Sequence, residues 1–314
     1  MTALILFGPT ASGKTEILEK LFAGSRPLCR AEIVSADSVQ VYRGMDIGSA
    51  KPPAATLAAL PHHLIDIRNP DEQFNAGDFV RLADHACAGI AARGGLPVIS
   101  GGAGFYLRNF VLGLPEAPPS DPFIRKALET EFRDRGARAL MEELAACDPV
   151  SAGRIHLNDG YRLRRALEVF RASGRPLSSF ASTGAAPGNR PRYRFLILGL
   201  DRPRKDLGSR IDERCALMFR QGLPDEVRRL REAGYGPGDP GMRAIGYREF
   251  FVEEAPGQWR IDDNLDKVQD LVARNSRRYA KRQITFFASI PNALWIPALG
   301  DPAAEIRREL AKFG

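Results

Sequence analysis

Short, unbroken apolar runs recur along the chain, and polar residues and glycines follow each one. Ala3–Phe7, Glu32–Ala36, Leu96–Ser100 and Phe195–Leu200 are four such runs, and Ala293–Ile296 is a fifth. Runs of this kind, separated by helical stretches, predict parallel strands buried on both faces, and hence an α/β fold with helices on both sides of the sheet. Ligands of open α/β sheets sit outside the carboxyl ends of the strands. The polar clusters fall there: Gly8–Thr15, Asp37, Gly101-Gly102 and Asp201-Arg202. A helix is expected to begin at Glu16.

Between residues 115 and 194 the strand pattern stops. Pro115, Pro118, Pro119 and Pro122 punctuate the entry, and STGAAPGNRPR at 182–192 reads as a loop at the exit. Segments 121–135, 137–146 and 159–172 between them read as helices. In the last, Leu163, Leu167 and Phe170 recur at helical spacing and should face inward, which turns Arg162 and Arg165 outward. Gly174 and Pro176 should end that helix. The 314 residues are therefore expected to form an α/β core, 1–114 with 195–314, carrying a helical insertion at 115–194.

Composition changes this picture little: 44% hydrophobic and 26% charged residues exclude wholesale disorder. No apolar run reaches the ~18 residues of a membrane span, and the N-terminal run lacks the basic flank of a signal peptide. Cys29, Cys87, Cys147 and Cys215 form no CxxC pair, which argues against zinc and a disulfide framework and for a reducing cytoplasm. Charge is more informative. The net +7 is absent from residues 1–114, with 10 basic and 10 acidic side chains, whereas 115–194 hold 14 against 10. Eight arginines face two acids between Asp159 and Arg194, and five basic residues with no acid lie between Leu271 and Ile290. Arginine clusters suit a phosphate backbone, although a solvated helix face has the same composition.

Gly8-Pro9-Thr10-Ala11-Ser12-Gly13-Lys14-Thr15 matches GxxxxGK[ST], between an expected strand and an expected helix. Consecutive backbone N–H groups and the helix N-terminus would cradle an anion. Lys14 would neutralise a terminal phosphate, and the Thr15 hydroxyl would sit on Mg²⁺. The loop predicts a phosphate ligand but no particular reaction.

Further motifs follow in order: Asp37-Ser38-Val39-Gln40-Val41-Tyr42, Ala50-Lys51-Pro52, His62-His63, Gly101-Gly102-Ala103-Gly104, Asn158-Asp159 with Arg162 and Arg165, Ala244-Ile245-Gly246-Tyr247, and Lys281-Arg282-Gln283. Together they resemble the tRNA dimethylallyltransferase (tRNA isopentenyltransferase) family of bacterial type, over nearly the whole chain. The resemblance implies a P-loop kinase-like parallel sheet with a helical insertion that grips a tRNA anticodon stem-loop. It implies transfer of a dimethylallyl group from dimethylallyl diphosphate to N6 of adenosine-37, with Mg²⁺ and release of diphosphate. A monomer is expected.

The same resemblance assigns roles. Asp37 falls on the general base, and chemistry agrees: adenine's exocyclic amine is a weak nucleophile, and a nearby carboxylate can take its proton as the N–C bond forms. Ser38, Val39 and Gln40 fall on an acceptor-contacting loop, Gln40 either on a base edge or as a loop-stabilising amide. Ala103, Arg125, Tyr161, Arg162, Leu163, Arg164, Arg165, Lys281, Arg282 and Gln283 fall on other tRNA-contacting stretches. Arg210 is preferred to Arg214 as a diphosphate ligand, the alternative being an ion pair with Asp206 or Glu213. His62 and His63 lack a third ligand at sensible spacing and read as structural.

Two positions depart from the family pattern. Tyr161 stands where the family commonly has Gln, and Ala103 replaces a Thr whose hydroxyl contacts the diphosphate. The second puts the rate in doubt. Three alternatives remain open on sequence: a small-molecule kinase, a prenyltransferase of free adenylate, and a tRNA-binding protein without catalysis. The two basic stretches speak against the first two, and retention of Lys14, Thr15 and Asp37 against the third.

Overall fold

The computed structural model describes residues 1–24, 26–114, 117–180, 190 and 192–313. The chain divides into two units, Met1–Val111 with Arg192–Gly314, and Leu112–Pro191. In chain order the elements are β1 (Thr2–Phe7), α1 (Lys14–Phe22), β2 (Ala31–Ala36), α2 (Ala54–Ala59), β3 (His62–His63), α3 (Ala76–Ala92), β4 (Leu96–Gly101) and α4 (Gly104–Leu112). Next come α5 (Pro122–Cys147), α6 (Pro149–Ala152), α7 (Gly160–Ser173) and α8 (Leu177–Phe180). The chain then runs through β5 (Arg194–Asp201), α9 (Arg204–Arg220), α10 (Leu223–Glu232), β6 (Phe251–Ala255), β7 (Gln258–Ile261), α11 (Leu265–Phe287), β8 (Leu294–Pro297) and α12 (Pro302–Phe313). All five apolar runs are strands. Of the exit segment 182–192, only residues 190 and 192 are among those described.

The first unit is built on a six-stranded parallel sheet in the order β3-β2-β4-β1-β5-β8. Side-chain alternation sends Ala3, Ile5 and Phe7 of β1 into one core layer and Leu4 and Leu6 into the other. Burial on both faces explains why β1 reads as an unbroken apolar run. Each fully buried Leu, Ile or Phe contributes roughly 1.5–3 kcal/mol. The chain leaves β1 toward β2 on one side and later crosses to β5 on the other. The carboxyl end of β1 is thus where the winding reverses, a position that opens a crevice.

Two local features escaped the apolar pattern. His62 and His63 form a two-residue edge strand beside β2. There His62 Nδ1 lies 2.6 Å from the Leu60 carbonyl and His63 Nε2 2.8 Å from Glu32, a structural role as expected. The antiparallel β6–β7 hairpin carries exposed charge along its length and no apolar run.

The second unit is helical. Leu128, Leu140 and Leu144 of α5 pack against Leu163, Ala166 and Leu167 of α7. α5 is two segments meeting at Gly136, whose φ of 77° and ψ of 170° suit only glycine. Arg171 of α7 bonds both Glu131 before the break and Glu143 after it, at 2.7 and 2.6 Å, and so fixes the angle between the segments. Asp159 caps α7 through the Arg162 amide, and Gly174 ends it in the left-handed conformation.

Gly101 ends β4 beside Ala36, the last residue of β2. A Cβ there would lie 2.0 Å from the Ala36 carbonyl oxygen, a rigid backbone atom. Gly101→Ala is therefore expected to push the two strand ends apart and to cost about 1–3 kcal/mol, as overpacking does. Chemical denaturation measures this; an unchanged midpoint would contradict the close approach.

Candidate active site

A cleft of about 1130 Å³ opens at the carboxyl ends of β1, β2 and β4. Residues Thr10–Thr15, Asp37–Gln40, Arg210, Arg214, Arg282 and Gln283 all line it. The fold therefore gathers most of the sequence candidates of the first unit in one place.

The phosphate loop needs two left-handed residues to turn back on itself, Ala11 at φ 61° and Gly13 at φ 96°. α1 then begins at Lys14 with no side-chain cap, so its first N–H groups are available to an anion. Lys14 folds over the loop: its Nζ donates to the carbonyls of Gly8 at 2.8 Å and Pro9 at 3.0 Å. Burial, and then the Arg214 guanidinium, pull its pKa down to about 8, with Asp37 acting in the opposite sense. Arg214 donates to the Thr10 hydroxyl at 3.3 Å, and burial holds its own pKa below the ordinary value. Arg210 instead donates to the Ala11 carbonyl at 2.9 Å and to Glu16 at 3.2 Å. The expected alternative pairing is absent, because Asp206 is bound to Arg202. Both arginines face the cleft, and Arg214, which the sequence reading set aside, is the one electrostatically coupled to Lys14 and Asp37.

Asp37 follows β2. Its Oδ1 accepts from the amides of Val39 at 2.8 Å and Gln40 at 3.2 Å, closing a tight turn. Oδ2 has no protein donor among the described residues, and Asp37 lines the cleft. Tyr106 and Tyr279 border the same space. Burial and the Asp37 charge push Tyr279 up to about 12, so it stays protonated and can donate.

Several sequence candidates have different work. Gln283 is buried: its Oε1 accepts from the Thr10 amide at 2.9 Å and its Nε2 donates to the Gly102 carbonyl at 2.8 Å. It ties the phosphate loop to the 101–104 segment, so both polar ends of its side chain are already engaged. Gln40 accepts from Ser35 at 3.2 Å and donates to the carbonyls of Ser49 and Ala50 at 3.4 and 3.3 Å, so its amide stabilises the loop. Ala103 lies in the main core, its amide on the Ala36 carbonyl at 3.0 Å, and is only 9% exposed. Lys281 and Arg282 are exposed on α11.

The remaining candidates lie in the second unit. Leu163 is wholly buried in its core, which corrects its assignment as a tRNA contact. Tyr161 is 63% exposed, as a contact residue must be. Arg162 is exposed and pairs with Asp159 at 2.6 Å. Arg164 stacks on Phe132, its guanidinium 4.7 Å from the ring centre. Arg165 is internal in function: it donates to the Pro118 carbonyl at 2.5 Å and pairs with buried Glu168 at 3.0 Å. Arg125 pairs with Glu129 one turn on.

Sequence reasoning placed Tyr106, Tyr247 and Tyr279 within motifs but gave them no role, and it missed Glu226 altogether. The two site tyrosines are single aromatics within helices, and nothing in their spacing separates them from core residues.

A family model described as IPP transferase matches residues 40–290. The chain is 44% identical to a tRNA dimethylallyltransferase of Geobacter sulfurreducens, over 93% of this chain and 91% of the relative. It is 43% identical to tRNA dimethylallyltransferase 1 of Pelobacter propionicus, over 99% and 97%. Among solved structures, the tRNA isopentenylpyrophosphate transferase of Bacillus halodurans superposes with a TM-score of 0.68 at 34% identity, covering 99% of this chain and 96% of that one. A eukaryotic dimethylallyltransferase acting on tRNA shares the fold, with a TM-score of 0.77 at 22% identity over 98% of this chain and 77% of that one.

The depressed pKa of Lys14 has a measurable consequence. A bound diphosphate favours the charged ammonium, so binding above pH about 8 must take up a proton. Affinity for an unreactive alkyl diphosphate, once the ligand is fully ionised above about pH 7, is expected to be flat up to that pH and to fall by up to about tenfold per pH unit above it. Lys14→Arg should remove the inflection. Calorimetry across the range checks this, and a profile identical in parent and variant would count against Lys14 as the titrating group.

Proposed function

This chain belongs to the IPP transferase family, and from that premise we propose that it transfers a dimethylallyl group from dimethylallyl diphosphate to N6 of adenosine-37 in tRNA. The observation that carries the reading is the division of labour within Asp37. One carboxylate oxygen is locked in a turn and the other has no protein donor among the described residues, while Asp37 lines the cleft together with Lys14 and Arg214.

The phosphate loop, Lys14 and Arg214 hold the diphosphate, with Arg210 beside them. The extruded adenine presents its amine to Asp37 Oδ2; extrusion costs least for a base already in a loop. As nitrogen bonds to the allylic carbon, the carbon–oxygen bond to diphosphate breaks. Asp37 takes the amine proton, and the cations take the charge that builds on the leaving oxygen. Mg²⁺, when bound, supplies further neutralisation of the diphosphate, and the exposed Thr15 hydroxyl is the side chain fitted to hold it. Among the described residues no group of three or more His, Cys, Asp or Glu side chains is placed to hold a metal ion.

The test supplies labelled dimethylallyl diphosphate with tRNA, AMP or ATP. Label is expected in tRNA alone; label in AMP or ATP instead would replace this reading with a free-nucleotide prenyltransferase, and no transfer would end it.

Asp37→Asn preserves the turn-forming acceptor and removes the base. Its single-turnover rate is expected to fall about 10²–10⁴-fold, with tRNA affinity nearly unchanged. A rate near that of the parent removes Asp37 from the chemistry.

The arginines of α7 make a second, graded prediction. Arg162 is 74% exposed and Arg165 only 27%. Arg162→Ala should reduce the slope of log affinity for tRNA against log salt by roughly 0.7–0.9, the loss of one phosphate contact. Arg165→Ala should instead lower the unfolding midpoint. Equal slopes for parent and Arg162→Ala would mark Arg162 as a solvated charge.

A further inference from the structure

We infer that Glu226 is a positioning residue for the reaction: from α10 it sets the loop that holds Asp37 in place. The inference rests on the reading of Asp37 as the base. Glu226 is 2% exposed, with no cation bonded to it among the described residues. Its Oε2 accepts from the amides of Asp46 at 3.0 Å and Ile47 at 2.8 Å. Its Oε1 accepts from the Gly48 amide at 3.1 Å and the Tyr247 hydroxyl at 2.8 Å. Four donors meet the full acceptor capacity of a carboxylate. Three are consecutive backbone amides, the arrangement that binds an anion without a counter-ion.

The loop so held leads back to the catalytic carboxylate in two steps. Residues 48–50 border the cleft, and the carbonyls of Ser49 and Ala50 accept from Gln40 Nε2. The Gln40 amide in turn donates to Asp37 Oδ1. The ring of Tyr247 leaves no room for a side chain at Gly48, where a Cβ would lie 2.6 Å from it. On its other side Lys51 holds the same loop through the Tyr42 carbonyl, Asp46 and Asp66. A shift of residues 46–50 therefore moves Gln40 and, with it, the turn that aims Asp37 Oδ2.

Glu226→Gln keeps the size of the side chain but turns an amide NH₂ toward backbone N–H donors. α10 keeps its buried Leu223, Val227 and Leu230, so the helix stays packed. Single-turnover transfer to saturating tRNA is expected to slow by about ten- to a hundredfold, the penalty for a misplaced reacting group. Affinity for inorganic diphosphate should stay at the parent value, because the phosphate loop is untouched. Adding Gln40→Leu to Glu226→Gln should slow the reaction little further, since both break one path. Tyr247→Phe removes one donor of four and gives a milder form of the same split, which serves if Glu226→Gln fails to fold. An unchanged rate, multiplying losses in the double variant, or a parallel loss of diphosphate affinity would each overturn the inference. A near-parent rate in Asp37→Asn would overturn the reading of Asp37 instead, and a parent protein that transfers no label to tRNA would overturn the proposed function.

Discussion

Two cations held side by side over a desolvated phosphate loop govern this site. Burial lowers the pKa of both Lys14 and Arg214, and the Arg214 charge lowers that of Lys14 further. One carboxylate, Asp37, offsets them. Seven Lys and Arg side chains, Lys14 and Arg214 among them, line the cleft against the carboxylates of Glu16, Asp37 and Glu213, an arrangement completed by an anion. The carbonyls of Gly8 and Pro9 meanwhile occupy the Lys14 ammonium, an interaction that a phosphate can replace without leaving the nitrogen unpaired. The loop can take this form because β1, buried on both faces, delivers it rigidly at the point where the sheet winding reverses.

The arginine-rich composition of the helical unit looks different once each guanidinium is followed to its partner. Arg171 braces the broken helix α5, Arg165 joins α7 to the entry segment at Pro118, and Arg164 lies on Phe132. These side chains stabilise a small core that has few large apolar groups of its own. Arg162 presents its charge outward. A count of basic residues therefore overstates the electrostatic surface, and exposure decides which of them a polynucleotide meets.

The sheet was legible because fully buried parallel strands leave unbroken apolar runs, and the phosphate loop because its glycines and lysine have fixed spacing. Helix α7 was legible to its stop at Gly174, with Leu163 and Leu167 turned inward. The β6–β7 hairpin was not, since exposed strands carry no such signature. At the site, motif membership located residues but not their work. Lys281, Arg282 and Gln283 are consecutive, yet the first two are exposed and the third is a buried strut. Helical geometry separates neighbours by about 100°, so one motif serves two faces. The choice between Arg210 and Arg214 likewise turned on which guanidinium lies beside Lys14. One helical turn separates them in sequence, and only their packing distinguishes them.

Ala103 shows how the same electrostatics absorb a departure in sequence. Its segment keeps its shape through backbone and strut contacts: the Ala103 amide on the Ala36 carbonyl, and the Gly102 carbonyl on Gln283. A hydroxyl at 103 is therefore unnecessary for the local fold. What the alanine withholds is one neutral donor, and a neutral hydrogen bond contributes less than a charge-assisted one to an oxyanion. Lys14 and Arg214 are both charge-assisted donors, and both lie where the phosphate loop would seat a diphosphate. On the proposed reading, stabilisation of the leaving group depends on the cations more than on the segment after β4. In this chain, the demand on the desolvated pair over the phosphate loop is correspondingly greater.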